Sequence, residues 1–147
     1  MKIYSVIENR VELSILLIYL NDLLYSKKID LDKSIYEDKR PEWNSEHQRS
    51  FIENLFKFPE LVNTKIVIIS NINHEFYLVD GHNRVYSFLK FLNNEFAVTV
   101  DGIELIYSEL KKIKDIGKII IPIKYITYNE LNIEKEAIKI FNILNSF

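Results

Sequence analysis

Two short apolar runs, Lys65-Ile66-Val67-Ile68-Ile69 and Phe76-Tyr77-Leu78-Val79, are separated by a polar turn from Ser70 to His74, and the second runs directly into Asp80-Gly81. Runs of β-branched and aromatic residues bounded by polar turns are the pattern of neighbouring strands. The segment after Gly81 places Val85, Phe88, Leu89 and Leu92 on one face at helical spacing and reaches Asn93-Asn94, which predicts a helix. Strand, turn, strand, tight turn and helix follow within about thirty residues. This order requires a sheet with helices laid against it, so the fold class is α/β (or α+β) with a small mixed sheet and surrounding helices.

The rest of the chain is read around three glycines and three prolines, because these residues make special backbone demands. Val11, Ile15, Ile18, Tyr19 and Leu23 predict an amphipathic helix from about Asn9 to Tyr25, with a short strand at Ile29 to Leu31 after it. The polar stretch from Asp38 to Asn44 holds Lys39-Arg40-Pro41 and reads as a loop closed by Trp43. Ser45 and Gln48 form a capping-box pattern that starts a helix with Phe51, Ile52, Leu55 and Phe56 on its apolar face, ending at Pro59. Glu95 to Val100 is read as extended, Tyr107 to Lys114 as a short helix, and a final helix starts near Ile133. Ile119 to Thr127 reads as a strand in which Pro122 marks an edge position or a bulge.

At 147 residues and 48% hydrophobic, the chain is expected to be a single domain, residues 1–147, with one substantial core. Its net charge of −2 excludes a protein that coats nucleic acid over its whole surface, so any such contact must be local. The lack of cysteine removes disulfides, thiolate metal sites and cysteine nucleophiles, and fits a reducing, cytoplasmic setting. Leu13 to Leu24, the most apolar stretch, is cut by Asn21 and Asp22 and is too short to span a bilayer, so no membrane partner is expected.

The chemistry concentrates at Asp80-Gly81-His82-Asn83-Arg84. A glycine turn opening a helix directs backbone N–H groups outward, and the helix dipole adds partial positive charge, so the place suits an anion. Arg84 in the first turn opposes the usual preference of helix starts for acids, and an arginine there can grip phosphate oxygens in a bidentate way. Two readings stay open: an anion-binding turn, or Asp80 as a helix cap with Arg84 paired to a neighbouring acid.

The stretch from Lys39 to Phe96 resembles the N-terminal domain of GmrSD-type modification-dependent restriction endonucleases, in the ParB/sulfiredoxin superfamily. That family shows an arginine and a tryptophan in a loop before a helix, a DGQQR motif after a strand, and F-x-R-L-N in a later helix. Arg40 and Trp43, then Asp80-Gly81-His82-Asn83-Arg84, then Phe141-Asn142-Ile143-Leu144-Asn145 stand in those places. His82 and Asn83 replace the two glutamines, and Ile143 replaces the third motif's arginine. The chain also stops before the helical region and HNH-type nuclease domain usual in those enzymes, so it is expected to be a minimal version.

The resemblance implies a phosphate-ligand-binding domain acting on DNA or a nucleotide. As an enzyme it would be a metal-dependent nuclease or NTPase, with Asp80, His82 and Arg84 catalytic and Asp80 holding Mg²⁺ or another divalent cation. Gly81 would admit the phosphate, and Arg40, Asn83 and Arg84 would contact it; the other readings are a surface ion pair for Arg40 and, for Asn83, a hydrogen bond back to the backbone at the helix start. His82 could act as general acid or base, or face solvent at the helix start. Lys111, Lys112, Lys114 and Lys118 could track a DNA backbone or form a solvated helix face. From a different class, the chain could be a catalytically silent binding module in a virus- or plasmid-host defence conflict. Its partners would be a nucleoside triphosphate or DNA, with a homodimer or a separate protein supplying missing functions.

Overall fold

The computed structural model describes residues 3–16, 18, 43–114 and 116–144. The expected strand at Ile29 to Leu31 and the Lys39-Arg40-Pro41 loop lie outside the described residues, as do Asp115 and Asn145. The elements are β1 (Ile3–Glu12), α1 (Ser45–Lys57), β2 (Ile66–Ser70), β3 (Phe76–Asp80) and α2 (His82–Leu92). They are followed by β4 (Val98–Val100), β5 (Ile103–Leu105), α3 (Tyr107–Leu110), β6 (Ile120–Tyr128) and α4 (Glu134–Leu144), with a 3₁₀ turn at Ile116–Lys118 before β6.

Among the described residues, four strands form one mixed sheet in the order β1-β6-β2-β3, and β4 and β5 form a separate hairpin. β6 runs antiparallel to β1 and parallel to β2, while β2 and β3 are antiparallel. The fold is therefore mixed α/β with a small sheet and several helices, in line with the sequence. Every residue of β2 is buried, as the continuous apolar run implied.

The sheet has two faces with different coverings. Ile66, Ile68, Leu78, Ile121 and Ile123 join Phe51, Ile52, Leu55, Phe88 and Leu89 in a core shared with α1 and α2. Val67, Ile69, Val79 and Tyr128 pack on the other side with Ile133 and Ala137, which α4 brings against β3. Among the described residues, the apolar cluster that α4 joins on that face comprises Val67, Ile69, Val79 and Tyr128, with Tyr77 and Ile126 packed against it. Lys124 and Glu8 continue the row of Val67, and Pro122 and Arg10 are paired two residues earlier along β6.

The N-terminal segment differs from expectation. Asn9 to Glu12 belong to β1, and helix starts only at residues 13–16. Pairing with β6 from Ile3↔Tyr128 to Glu12↔Ile120 outweighs the local helical spacing. The helical turn buries Leu13 and Leu16, whereas Ile15 and Ile18 of the predicted apolar face are exposed. Residues 17 and 19–25 lie outside the described residues.

Pro122 is also placed differently. β6 is an interior strand, yet its ladder with β2 starts at Ile66↔Ile123, so among the described residues the strand at Pro122 has β1 alone beside it. A residue without an N–H is tolerated where the second ladder has not begun. At α1 the cap is Asn44, whose side-chain oxygen accepts from the His47 N–H at 2.8 Å. Ser45 is the first helical residue, and Gln48 is buried rather than reaching back as a capping-box partner.

Candidate functional site: the turn between β3 and α2

Asp80 ends β3, and its position depends on an irregularity in the ladder. Val67 pairs with Asp80 and Ile68 with Leu78, leaving Val79 as an extra residue. Such a bulge turns the strand locally and re-aims the side chains beside it. Asp80 is thereby in register with Val67, on the face that carries the second core cluster. Through Val67 the row continues to Lys124 and Glu8.

Gly81 follows with φ +101°, a left-handed conformation that side chains rarely adopt. A Cβ on Gly81 would lie 3.2 Å from both the Lys65 carbonyl oxygen and Ile66 Cγ1. The glycine therefore serves both a turn and a close approach to β2. α2 opens at once, with the Val85 N–H donating to the Gly81 carbonyl at 2.8 Å. It has no capping side chain at Gly81 and no acidic residue in its first turn.

Arg84 folds back on this turn. Its Nε and Nη2 donate to the Lys65 carbonyl oxygen at 3.1 and 2.7 Å, and Nη2 lies 3.3 Å from Asp80 Oδ2. Its side chain is 14% exposed and that of Asp80 22%. Burial pulls the Arg84 guanidinium below its ordinary pKa, and the Asp80 carboxylate opposes that effect. The anion that compensates a cation at this helix start is therefore Asp80 itself; the second reading of the sequence made Asp80 the helix cap, but the cap position belongs to Gly81 and Asp80 is the acid that pairs with Arg84. None of these contacts uses Nη1, so one edge of the guanidinium is outside the internal fork.

His82 is buried, 6% exposed, so it is not the solvent-facing residue that a helix start allows. Asn83 accepts the Trp43 N–H at 3.1 Å through Oδ1, and its carbonyl accepts from Ser87 Oγ at 2.7 Å. The Trp43 bond ties the loop before α1 to the turn, so the tryptophan-bearing loop does meet the Asp-Gly-His-Asn-Arg segment. Trp43 stacks on His47 with centroids 4.1 Å apart and meets Phe51 at 5.3 Å, which makes it part of the packing over α1. Arg40 lies outside the described residues.

The four lysines proposed for DNA do not form one strip. Lys111, Lys112 and Lys114 are exposed in the turn after α3, and Lys111 Nζ sits 5.7 Å from the Tyr107 ring centre. Lys118 instead lines a 620 Å³ groove with Arg10, Glu60, Asn63, Thr64 and Pro122. A 400 Å³ depression shares Arg10 and Pro122 with it and adds Glu8, Lys65 and Lys124. Among the described residues they gather Arg10, Lys65, Lys118 and Lys124 against Glu8 and Glu60, in a chain of net charge −2. Sequence reading missed this patch because Arg10, Lys65 and Lys124 come from three distant segments. Ile143, in the place of the third motif's arginine, is 62% exposed near the end of α4.

Asn71 is a further residue that the sequence did not single out. It is buried between β2 and β3, donates to Glu75 Oε1 at 3.1 Å and the Leu131 carbonyl at 2.9 Å, and accepts from the N–H groups of Asn73 and Glu75. It thus fixes the hairpin and the approach to α4. Among the described residues no helix is long and apolar enough to cross a membrane, and no group of three or more His, Asp or Glu is placed to hold a metal ion. No family model, characterised protein or solved structure matches the chain.

Proposed function

We propose that this domain binds a phosphate-bearing ligand, a nucleotide or nucleic acid, at the turn between β3 and α2, and works as a recognition module of ParB/sulfiredoxin-like type. The observation that carries this reading is the start of α2: a left-handed glycine, no capping side chain and no acid in the first turn, set directly after a bulged strand. The basic hollows, one of them lined by the Lys65 whose carbonyl Arg84 holds, supply a path for further phosphates. Arg84 positions the turn through Lys65 and Asp80 and offers its remaining edge to the ligand.

A second reading, hydrolysis by a nuclease or NTPase, is favoured by Asp80. Its Oδ2 faces Arg84 while Oδ1 takes no part in that pair. Mg²⁺ keeps several waters and is held by one or two carboxylates plus substrate phosphates, so a single partly exposed aspartate fits it. Asp80 would hold the ion, which would polarise a phosphoryl oxygen or activate a water there.

Titration with the common nucleoside triphosphates, with and without Mg²⁺, tests both readings. Trp43 is the single tryptophan and is tied to Asn83, so its fluorescence reports on the turn. Saturable binding that Arg84→Lys weakens supports recognition, and phosphate release lost in Asp80→Asn supports hydrolysis. Absence of binding to nucleotides and to DNA at low salt overturns the proposal.

A further inference from the structure

β1 is ten residues long and, among the described residues, has one neighbouring strand, β6. Residues 6–10 are all exposed, and Val6 and Ile7, which point to opposite faces of the strand, are each 53% exposed. An edge strand of this length is a template for another strand unless charge, proline or a bulge blunts it. Here the charges, Glu8, Arg10 and Glu12, alternate in sign along one face, which makes the edge selective.

We infer that the β1 edge pairs antiparallel with β1 of a second copy of this chain, about a two-fold axis at Asn9. With Asn9 opposite its own copy, Glu8 falls opposite Arg10 and Arg10 opposite Glu8, so both charge pairs form at once. On the other face Ile7 falls opposite Val11 in both directions, giving two apolar cross-strand pairs. Val6 lies opposite Glu12 at the two ends of the seven-residue overlap. A strand pairs with itself in this way because a two-fold interface requires each contact to occur twice.

A two-fold axis at Val11 would also oppose Arg10 with Glu12, but within Ile3–Glu12 it leaves an overlap of residues 10–12 alone, so the Asn9 register is the one that pairs the charges over a long stretch of strand. Centring the axis on Glu8 or on Arg10 places like charge against like charge, Glu8 on Glu8 or Arg10 on Arg10, at the closest pair. Within each copy Glu8 already meets Lys124 Nζ at 3.0 Å, with Lys65 also near enough to favour its charged form. The acid would then stand between a cation of its own chain and Arg10 of the second copy, completing an alternating row. The result is a continuous eight-stranded sheet in which the two basic grooves, each lined by Arg10, meet at the seam.

The chain has no cysteine, so Asn9→Cys introduces a single thiol. Directly opposed residues of an antiparallel pair have Cα atoms about 4.5–5.5 Å apart, which is within disulfide range. Mild oxidation is expected to convert folded Asn9→Cys to a covalent dimer, while Ser5→Cys, offset along the strand, remains uncrosslinked. Sedimentation of the wild type is expected to show a dimer whose dissociation constant rises about tenfold or more in Arg10→Glu. A wild type that remains monomeric into the high micromolar range overturns the inference. So does a dimer in which Asn9→Cys fails to crosslink, or in which Ser5→Cys crosslinks as well. Amides of Ile3–Glu12 that are protected from exchange in a monomer would show the edge covered by the chain itself, and would overturn it too.

Discussion

Arg84 and the carbonyl oxygen of Lys65 are joined by a two-pronged hydrogen bond, Nε at 3.1 Å and Nη2 at 2.7 Å. The bond clamps the start of α2 to the residue that precedes β2, nineteen positions earlier. With Asp80 beside it, the same guanidinium closes the bulged end of β3. Arg84→Ala is expected to destabilise the fold by about 2 kcal/mol, because a charged donor is removed and a shielded carbonyl and carboxylate are left without their partner. Arg84→Lys keeps the charge but not the planar fork, and should recover part of that stability. Urea midpoints of the two variants at neutral pH check this.

Gly81→Ala is expected to cost about 1–3 kcal/mol through its positive φ alone. Contact of the new methyl with the Lys65 carbonyl and Ile66 at 3.2 Å adds to it. Gly102 also has a positive φ, +80°, but nothing lies within 4 Å of a Cβ there. Gly102→Ala should therefore be the milder change, and thermal melts of the two variants side by side give the comparison.

If nucleic acid lies along the sheet, the groove cations and not the turn after α3 set its affinity. Arg10→Gln with Lys118→Gln should weaken binding of a single DNA strand and make the dependence of log affinity on log salt shallower, by about 0.7 for each phosphate no longer neutralised. Lys111→Gln with Lys112→Gln should leave both quantities close to wild type. Fluorescence anisotropy across a salt series measures them, and the opposite ranking would place the nucleic acid at the turn after α3.

Two groups give the stability a predictable pH dependence. Burial, with Glu136 as a lesser cause, raises the Tyr128 phenol above its ordinary value near 10. The folded state then holds the proton more tightly than the unfolded chain, so stability is full below about pH 10 and falls as pH rises past it. Tyr128→Phe should flatten that alkaline decline. Glu8 is shifted the other way, by its hydrogen bond to Lys124 and by the charge of that residue. Its contribution is present above the ordinary carboxylate range and is lost as pH falls through it. Melting temperatures at acid and alkaline pH, compared with Glu8→Gln and Tyr128→Phe, test both signs.

The legible parts of the sequence were those with dense local pattern. The runs at 65–69 and 76–79 became β2 and β3, and Val85, Phe88 and Leu89 became the buried face of α2. The site turn was legible too, because an Asp-Gly pair between strand and helix constrains the backbone wherever it occurs. β1 was not legible: its partner β6 lies more than a hundred residues away, and helical spacing in the segment after it was the stronger local signal.

By itself, then, the sequence determined the elements whose periodicity is satisfied within a few residues, and the glycine that lets β3 turn into α2. Only the tertiary structure decided what Arg84 holds, since the Lys65 carbonyl reaches it through sheet packing and carries no trace in residue identity. It alone brought Arg10, Lys65, Lys118 and Lys124 to two hollows that share Arg10 and Pro122. Charge acts through space, and strand order across a sheet sets which charges share that space.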